Sequence, residues 1–215
     1  MSNTKIETEN KDFSKYGVIY KCLRIASDKS LNDIAEDLSM NQSYLALIET
    51  GKIEPRLISF MSLCKGYDIK PSKFMEIAEK VYDNDLSYQE ILLECAKHES
   101  MKSLKGQTIT DDEKKRKLGL ILKGMRVAQG KTCQEVADEI SVSVPMISII
   151  ENKRPVSNIK KFKKYISFFK ISDEDFDLFY NLVISKNLSY QQILTYCLIH
   201  DIERQKKEQI EEMLK

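Results

Sequence analysis

The chain of 215 residues contains two copies of one sequence pattern, and the second follows the first at a constant shift. Residues 16–100 align with residues 118–202 without a gap, so each position of the first copy matches the one 102 residues later. The likeness is closest at the end, where LSYQEILLECAKH (Leu86–His98) stands against LSYQQILTYCLIH (Leu188–His200). A register kept over so many positions indicates a tandem duplication and predicts two domains of one fold.

Apolar residues recur at helical spacing in both copies, and no segment shows the alternation of a strand. We therefore predict an all-α protein with two tandem domains of five to six helices each. The predicted helices lie near 16–27, 31–38, 42–50, 56–66, 72–82 and 88–98, and near 113–128, 132–140, 144–153, 157–169, 173–186 and 190–202. The predicted division is a disordered N-terminus (1–15), domain 1 (16–98), a linker (99–112), domain 2 (113–202) and a C-terminal helical extension (203–215).

Two short helices with a tight turn between them are predicted for Ser30–Lys52. Ser30 with Asp33 is typical of the start of a helix, Asn41 of the start of the next, and Gly51 of its end. The residues expected to face inward are Ile34, Leu38, Leu45 and Ile48. Thr132–Arg154 repeats the pattern, with Val136, Ala137, Ile140, Ile147 and Ile150 in matching places.

This pattern resembles the helix-turn-helix of the lambdoid phage repressor and Xre family, in two copies. The resemblance implies that the first turn of the second motif helix enters the major groove of double-stranded DNA. Gln42 is the most informative residue there, because a carboxamide can bond N6 and N7 of adenine together. The full set of candidate base-reading residues is Asn41, Gln42, Ser43 and Ala46 in domain 1 and Ser143, Val144 and Ser148 in domain 2.

Basic residues follow each motif and are candidates for contacts with DNA phosphates. They are Lys52 and Arg56 in domain 1, and Lys153, Arg154, Lys160, Lys161 and Lys164 in domain 2. The family resemblance also implies an internal ion pair in each domain. The two pairs are Arg24 with Glu49 and Arg126 with Glu151.

The net charge of +1 gives the whole chain no basic excess, so DNA binding would depend on local patches. The two copies differ in this respect: residues 16–100 hold ten basic and fourteen acidic residues, whereas residues 118–202 hold eleven and nine. Domain 1 is therefore expected to read bases and domain 2 to hold phosphates.

The five cysteines are scattered and show no C-x-x-C spacing, which fits a reducing cytosol and predicts neither disulfides nor a metal site. No apolar run is long enough to span a membrane, and the polar start lacks a signal region. A cytoplasmic protein is expected. We find no catalytic constellation and expect no enzyme activity and no cofactor.

The resemblance implies a sequence-specific DNA-binding regulator of transcription, a repressor. An alternative is a protein-binding inhibitor or scaffold of phage or plasmid type, because Leu47 and Ile149 place apolar groups on the outer faces of the second motif helices. A homodimer with four motifs is also expected, since family members usually pair two motifs about 34 Å apart on DNA. The alternative is a monomer in which the two fused motifs act as a covalent pseudo-dimer.

Overall fold

The computed structural model describes residues 14–99, 109–152 and 159–214. Within these ranges all regular secondary structure is helical, which confirms the predicted all-α class. The helices are α1 (Ser14–Ala26), α2 (Leu31–Leu38), α3 (Gln42–Glu49), α4 (Leu57–Gly66), α5 (Pro71–Asp83), α6 (Tyr88–Glu99), α7 (Asp111–Ala128), α8 (Cys133–Ile140), α9 (Val144–Asn152), α10 (Ile159–Phe168), α11 (Asp173–Ser185) and α12 (Tyr190–Met213).

The predicted helix limits agree closely with these bounds. The last helix is longer than the repeat requires, because α12 continues without a break to Met213 and takes up most of the predicted C-terminal extension. The predicted disordered N-terminus (1–15) falls mostly on residues 1–13, which lie outside the described residues, and so does 100–108 of the predicted linker.

Local hydrogen bonds explain why α2 and α3 begin where they do. The Ser30 hydroxyl accepts from the Asp33 amide at 3.1 Å, and the Ser30 amide donates to the Asp33 carboxylate at 2.6 Å, which completes a capping box. The Asn41 side chain caps α3 by accepting from the Ser43 amide at 2.8 Å. Between the helices Ser39 adopts a left-handed conformation with φ 51°, which turns the chain sharply.

The second copy builds the same helix pair with different residues. Thr132 and Glu135 form the capping box of α8, with the Thr132 amide donating to Glu135 at 2.8 Å. Ser141 ends α8 at φ 57°. The predicted inward residues are buried in both copies, with Leu38 half-buried. Equal backbone geometry at the equivalent residues Ser39 and Ser141 supports the predicted duplication.

A glycine in each copy allows a helix to pass close to the end of another. A Cβ atom added to Gly17 would lie 2.7 Å from the carbonyl oxygen of Ile48, and one added to Gly119 would lie 2.6 Å from that of Glu151. Both neighbours are backbone atoms that cannot swing away. The missing side chain therefore lets α1 pack directly against the end of α3, and α7 against the end of α9.

The chain divides into two compact units, one of Met1–Ile25 and Lys29–Leu86 and the other of Ala26–Asp28 and Ser87–Lys215. The first holds α1 to α5 around an apolar core in which the rings of Tyr20 and Phe74 stack at 4.8 Å. The second holds α6 to α12, and α12 packs along both α7 and α6. The repeat assigns α6 to the first copy, whereas this helix lies in the second unit.

All five cysteines are free thiols, and all but the half-buried Cys133 are buried. Burial raises the pKa of the Cys64 thiol to about 11, so this group stays protonated at neutral pH. Among the described residues, no helix combines the length and apolar character needed to cross a membrane.

Candidate nucleic-acid interface

The first turn of α3 presents polar side chains to solvent. Gln42 and Ser43 are exposed, while Leu45 and Ile48 further along the helix are buried. Ala46 is half-buried. The buried residues fix the rotation of α3 about its axis, so the side chains of its first turn point outward.

Asn41 forms the cap that the sequence predicted, and its base-reading role stays a prediction. Its side-chain oxygen accepts from the amides of Ser43 and Tyr44 at 2.8 and 3.4 Å and is occupied by the cap. The side-chain nitrogen takes no part in the cap. Asn41 therefore serves first to start α3 and to hold Gln42 in place.

The equivalent end of α9 is less polar. Ser143 and Ser148 are exposed, and Val144 is half-buried. The Asn152 side chain donates to the Ser148 carbonyl at 3.0 Å and approaches the Ser148 hydroxyl at 3.5 Å. The two predicted serines are accessible, but the half-buried Val144 offers a base only part of its surface.

Apolar groups on the outer faces of the two helices are disposed differently. On α9, Met146 and Ile149 are exposed. On α3, Leu47 is half-buried, and the Tyr44 hydroxyl lies 3.4 Å from Ser59 of α4. Tyr44 thus ties α3 to α4, and the more accessible apolar face is that of α9.

The candidate phosphate contacts of the first unit lie after α3. Lys52 is exposed in the turn that ends this helix, and its amide donates to the Leu47 carbonyl at 2.9 Å. Arg56 is exposed directly before α4. The exposed carboxylate of Glu54 stands between them in sequence and reduces the local positive charge.

The candidates of the second unit are described only in part. Lys153 and Arg154 lie outside the described residues. Lys160 and Lys161 belong to the first turn of α10, but their side chains lie outside the described parts of the chain. Lys164 is exposed on the same helix.

Both predicted ion pairs are present and join the first helix of each copy to the third. In the first copy, Nε and Nη2 of Arg24 donate to the two oxygens of Glu49 at 2.7 and 2.8 Å. In the second, Arg126 donates to Glu151 at 2.6 and 2.7 Å. Each arginine also donates to a backbone carbonyl five residues later. The pairs therefore fix α3 against α1 and α9 against α7.

A tyrosine completes the ion pair in the second unit. The Tyr165 hydroxyl, on α10, donates to Glu151 at 2.7 Å and is buried. Sequence reasoning missed this residue, because the equivalent position of the first copy is Leu63 and the repeat gave no signal. The bond couples α10 to α9.

The pKa values follow from this burial. Burial raises the pKa of Tyr165, and the charge of Glu151 raises it further, so the phenol stays protonated and donates. Burial alone would lower the pKa of Arg126, but its hydrogen bonds and charge pairing with Glu151 outweigh burial and hold it above its usual range. The glutamate thus accepts from a permanent cation and a neutral hydroxyl.

No cluster of three metal-ligating side chains occurs among the residues that the structure describes. Comparisons of the chain with protein-family models, with curated proteins and with solved structures found no match.

Proposed function

We propose that this protein is a cytoplasmic, sequence-specific regulator of transcription, a repressor, that binds double-stranded DNA through two tandem helix-turn-helix domains of the phage-repressor type. In this proposal α2 with α3 forms one motif and α8 with α9 the other. No cofactor is required. The observation that carries the proposal is the end of α3, where Gln42 and Ser43 are exposed on a helix held by a cap, a left-handed turn and an ion pair.

This arrangement meets the physical needs of base reading. The major groove admits one α-helix, and a side chain reads a base only if it projects from the part of the helix that enters. A free carboxamide such as that of Gln42 can bond adenine in two places. The Arg24–Glu49 pair and the close approach at Gly17 fix the helix, so no ordering of the motif is required on binding.

The two motifs divide the work in this proposal. The first has the polar reading helix on an acidic copy, and the second has the apolar helix next to the lysines of α10. Base contacts by Gln42 would supply specificity, and charge around α10 would supply affinity for any sequence.

The salt dependence of binding to genomic DNA tests the proposal. A protein that neutralises phosphates releases counterions, so the logarithm of its binding constant falls steeply with the logarithm of salt concentration. We expect a steep slope for the whole chain. Lys164→Ala should flatten the slope by up to about one unit, since each phosphate contact contributes roughly that much. Lys186→Ala, which removes a charge between α11 and α12, is the matched control.

Footprinting on the DNA that flanks the gene of this protein then gives the site. Protection of a defined segment supports a specific regulator. A flat salt slope together with no protected segment would refute the proposal.

A second candidate function is supported by the exposed Met146 and Ile149 on α9. These residues give α9 an apolar outer face, which suits a protein-binding inhibitor or scaffold. For such a protein, Ile149→Asp should abolish inhibition of the partner, and binding to DNA should be weak at every salt concentration. For the DNA-binding function, the uncharged variant Ile149→Ser should leave the salt slope unchanged, because it alters no phosphate contact.

A further inference from the structure

The outer face of α12 carries six residues that follow each other at alternating spacings of three and four. They are Tyr196, Ile199, Glu203, Lys206, Ile210 and Met213, and we call them the α12 stripe. This spacing puts every member on one side of the helix, as in the seam of a coiled coil. The stripe extends over about 26 Å at roughly 1.5 Å per residue.

The stripe lies on the side of α12 that faces solvent. All six residues are exposed, with Ile210 at 58% and Met213 at 86%. The side that packs along α7 and α6 is formed by buried residues, among them Leu194, Leu198 and Asp201. On a helical wheel the two sets lie nearly opposite each other. Tyr196 is partly covered by Phe179 of α11, with ring centroids 5.9 Å apart, whereas Ile210 and Met213 keep most of their surface exposed in the described part of one chain.

The stripe is symmetric about the midpoint between Arg204 and Gln205. Ile199 and Ile210 are equally distant from that point, Tyr196 matches Met213, and Glu203 matches Lys206. Each apolar residue thus has an apolar counterpart, and the acid has a base. A helix with this order is complementary to itself when two copies run antiparallel.

A parallel pair lacks this complementarity. If two stripes ran parallel and in register, Glu203 of one copy would lie against Glu203 of the other, and Lys206 against Lys206. Like charges would meet at both places, which is unfavourable.

We propose that the α12 stripe is covered by the α12 stripe of a second copy of this chain, in an antiparallel homodimer. Ile199 of each copy packs against Ile210 of the other, and Tyr196 against Met213. Glu203 of each copy pairs with Lys206 of the other and sets the register, because a shift by one heptad would bury both charges against apolar groups. The dimer does not require DNA, so its test is separate from that of the proposed function.

Replacement of Ile210 tests whether the stripe is the interface. We expect the whole chain to be a dimer by light scattering at tens of micromolar, in the absence of DNA. Ile210→Asp places a carboxylate in the seam and should make the chain a monomer. The side chain is exposed, so circular dichroism should show an unchanged helix content, and the melting temperature should fall only by the stabilisation that dimerisation supplies. A wild-type monomer, or a dimer that survives this substitution, would overturn the proposal.

Charge reversal tests the direction of the pair. Glu203→Lys turns two symmetry-related attractions into repulsions, so the dissociation constant of the dimer should rise roughly tenfold. The double variant Glu203→Lys with Lys206→Glu restores the pairing and should restore the dimer. Glu203 is the better single position, because Lys206 also helps to lower the pKa of Glu90 on α6.

Glu211→Lys is the matched control. It makes the same change of charge on the same helix, but its side chain points away from the stripe, so dimerisation should be nearly unchanged. An antiparallel pair requires that Glu203→Lys weakens the dimer and that the double variant recovers it. If Glu203→Lys dimerises as the wild type does, or if Glu211→Lys weakens the dimer as much, the proposed pairing is wrong.

Discussion

The Arg24–Glu49 and Arg126–Glu151 ion pairs occupy equivalent places in the two copies, but water reaches them to different extents. The side chains of Arg24 and Glu49 are 16% and 8% exposed, and those of Arg126 and Glu151 are 12% and 2% exposed. The Tyr165 hydroxyl adds a third donor to the second pair. The first unit has a tyrosine one turn further along, Tyr67, whose buried hydroxyl makes no hydrogen bond of good geometry among the described residues. Burial raises the pKa of Tyr67, and the nearby Glu49 raises it further.

This difference shows that one ion pair can be kept while its surroundings change. In the second copy Tyr165 and Phe169 stand where the first has Leu63 and Tyr67, so the hydroxyl has moved by one helical turn. Only the hydroxyl of Tyr165 reaches its glutamate with good geometry. The bidentate contact of the arginine is the common element, and the tyrosine is an addition that stabilises the more deeply buried pair.

The sequences of α4 and α10 differ as well. In the first unit Leu57, Ile58 and Met61 are exposed on α4. The residues 102 positions later are Ile159, Lys160 and Lys163. Two apolar residues of the first copy are thus replaced by lysines in the second, and the proposed division of work between the two motifs rests on this difference in charge.

The largest expected effect concerns the buried glutamates. Glu151→Ala leaves Arg126 and Tyr165 buried without their acceptor and should lower the free energy of unfolding by about 3–5 kcal/mol. Glu49→Ala should cost less, because Arg24 is more exposed to water. Amide hydrogen exchange on α7 and α9, compared with α1 and α3, measures the two losses separately. Equal losses in the two copies would contradict the comparison.

The two tyrosines sharpen the same comparison. Tyr165→Phe removes a hydrogen bond to a charged group and should destabilise the second unit by about 1.5–3 kcal/mol. Tyr67→Phe removes a hydroxyl without a described partner and should change the stability of the first unit by less than about 0.5 kcal/mol. Urea unfolding of both variants measures these changes. A large loss for Tyr67→Phe would show that its hydroxyl is bonded after all.

The proposed division of work on DNA predicts two kinds of loss. Gln42→Ala should weaken binding to the preferred site by about 1–3 kcal/mol and binding to random duplexes hardly at all. Lys160→Ala with Lys161→Ala should weaken binding to both alike and flatten the salt slope by about one unit per lost contact. Titrations on specific and random duplexes at two salt concentrations separate the two losses.

Val144→Ala is the control for Gln42→Ala, because Val144 is the equivalent residue of α9 and its replacement removes no hydrogen-bonding group. It should change specificity little. If the lysine variant binds like the wild type, while Val144→Asp breaks a complex with protein, the second motif does not hold DNA as proposed.

The smallest expected effect comes from the capping boxes and should be alike in the two copies. Backbone and hydroxyl hydrogen bonds from Ser30 lower the pKa of Asp33, and those from Thr132 lower that of Glu135. A lowered pKa in the folded state stabilises the fold above the unfolded pKa, which is about 3.9 for Asp and 4.3 for Glu. This stabilisation is lost as the pH falls through the folded pKa.

Thermal melts between about pH 5 and pH 3 measure this loss. Glu135→Gln keeps an acceptor at the cap but cannot titrate, so the melting temperature of the second unit should depend less on pH in this variant. Asp33→Asn is the matched change in the first unit. A pH dependence unchanged in both variants would assign it to other carboxylates.

Most of the local structure of the fold could be predicted from the sequence. The caps at Ser30 and Thr132 depend on a hydroxyl and a carboxylate three residues apart, and such a pair needs no distant partner. Burial of Ile34 and Leu45 follows from helical periodicity. The exposure of Ser43 follows in turn, since a residue two positions before Leu45 lies on the other side of α3.

Part of the candidate site could not be predicted in this way. The sequence predicts Asn41 both as the cap of α3 and as a base reader. The structure shows the cap, in which its oxygen accepts from two amides of α3, and base reading stays a prediction. The hydroxyl of Tyr165 reaches Glu151 only because α10 packs beside α9. This contact is between two different helices, and the periodicity of residues within one helix cannot predict it.

The sequence by itself determined the duplication, the helices and their caps, because these depend on near neighbours or on a register that is repeated. The two ion pairs join residues 25 positions apart and are expected only from the family resemblance. Only the tertiary structure decided that α6, a helix of the first copy, packs along α12 of the second. Equivalent apolar faces of two copies are interchangeable in composition, so the pattern alone does not say which of them meet. Packing decides, because it depends on the fit of whole surfaces brought together from distant parts of the chain.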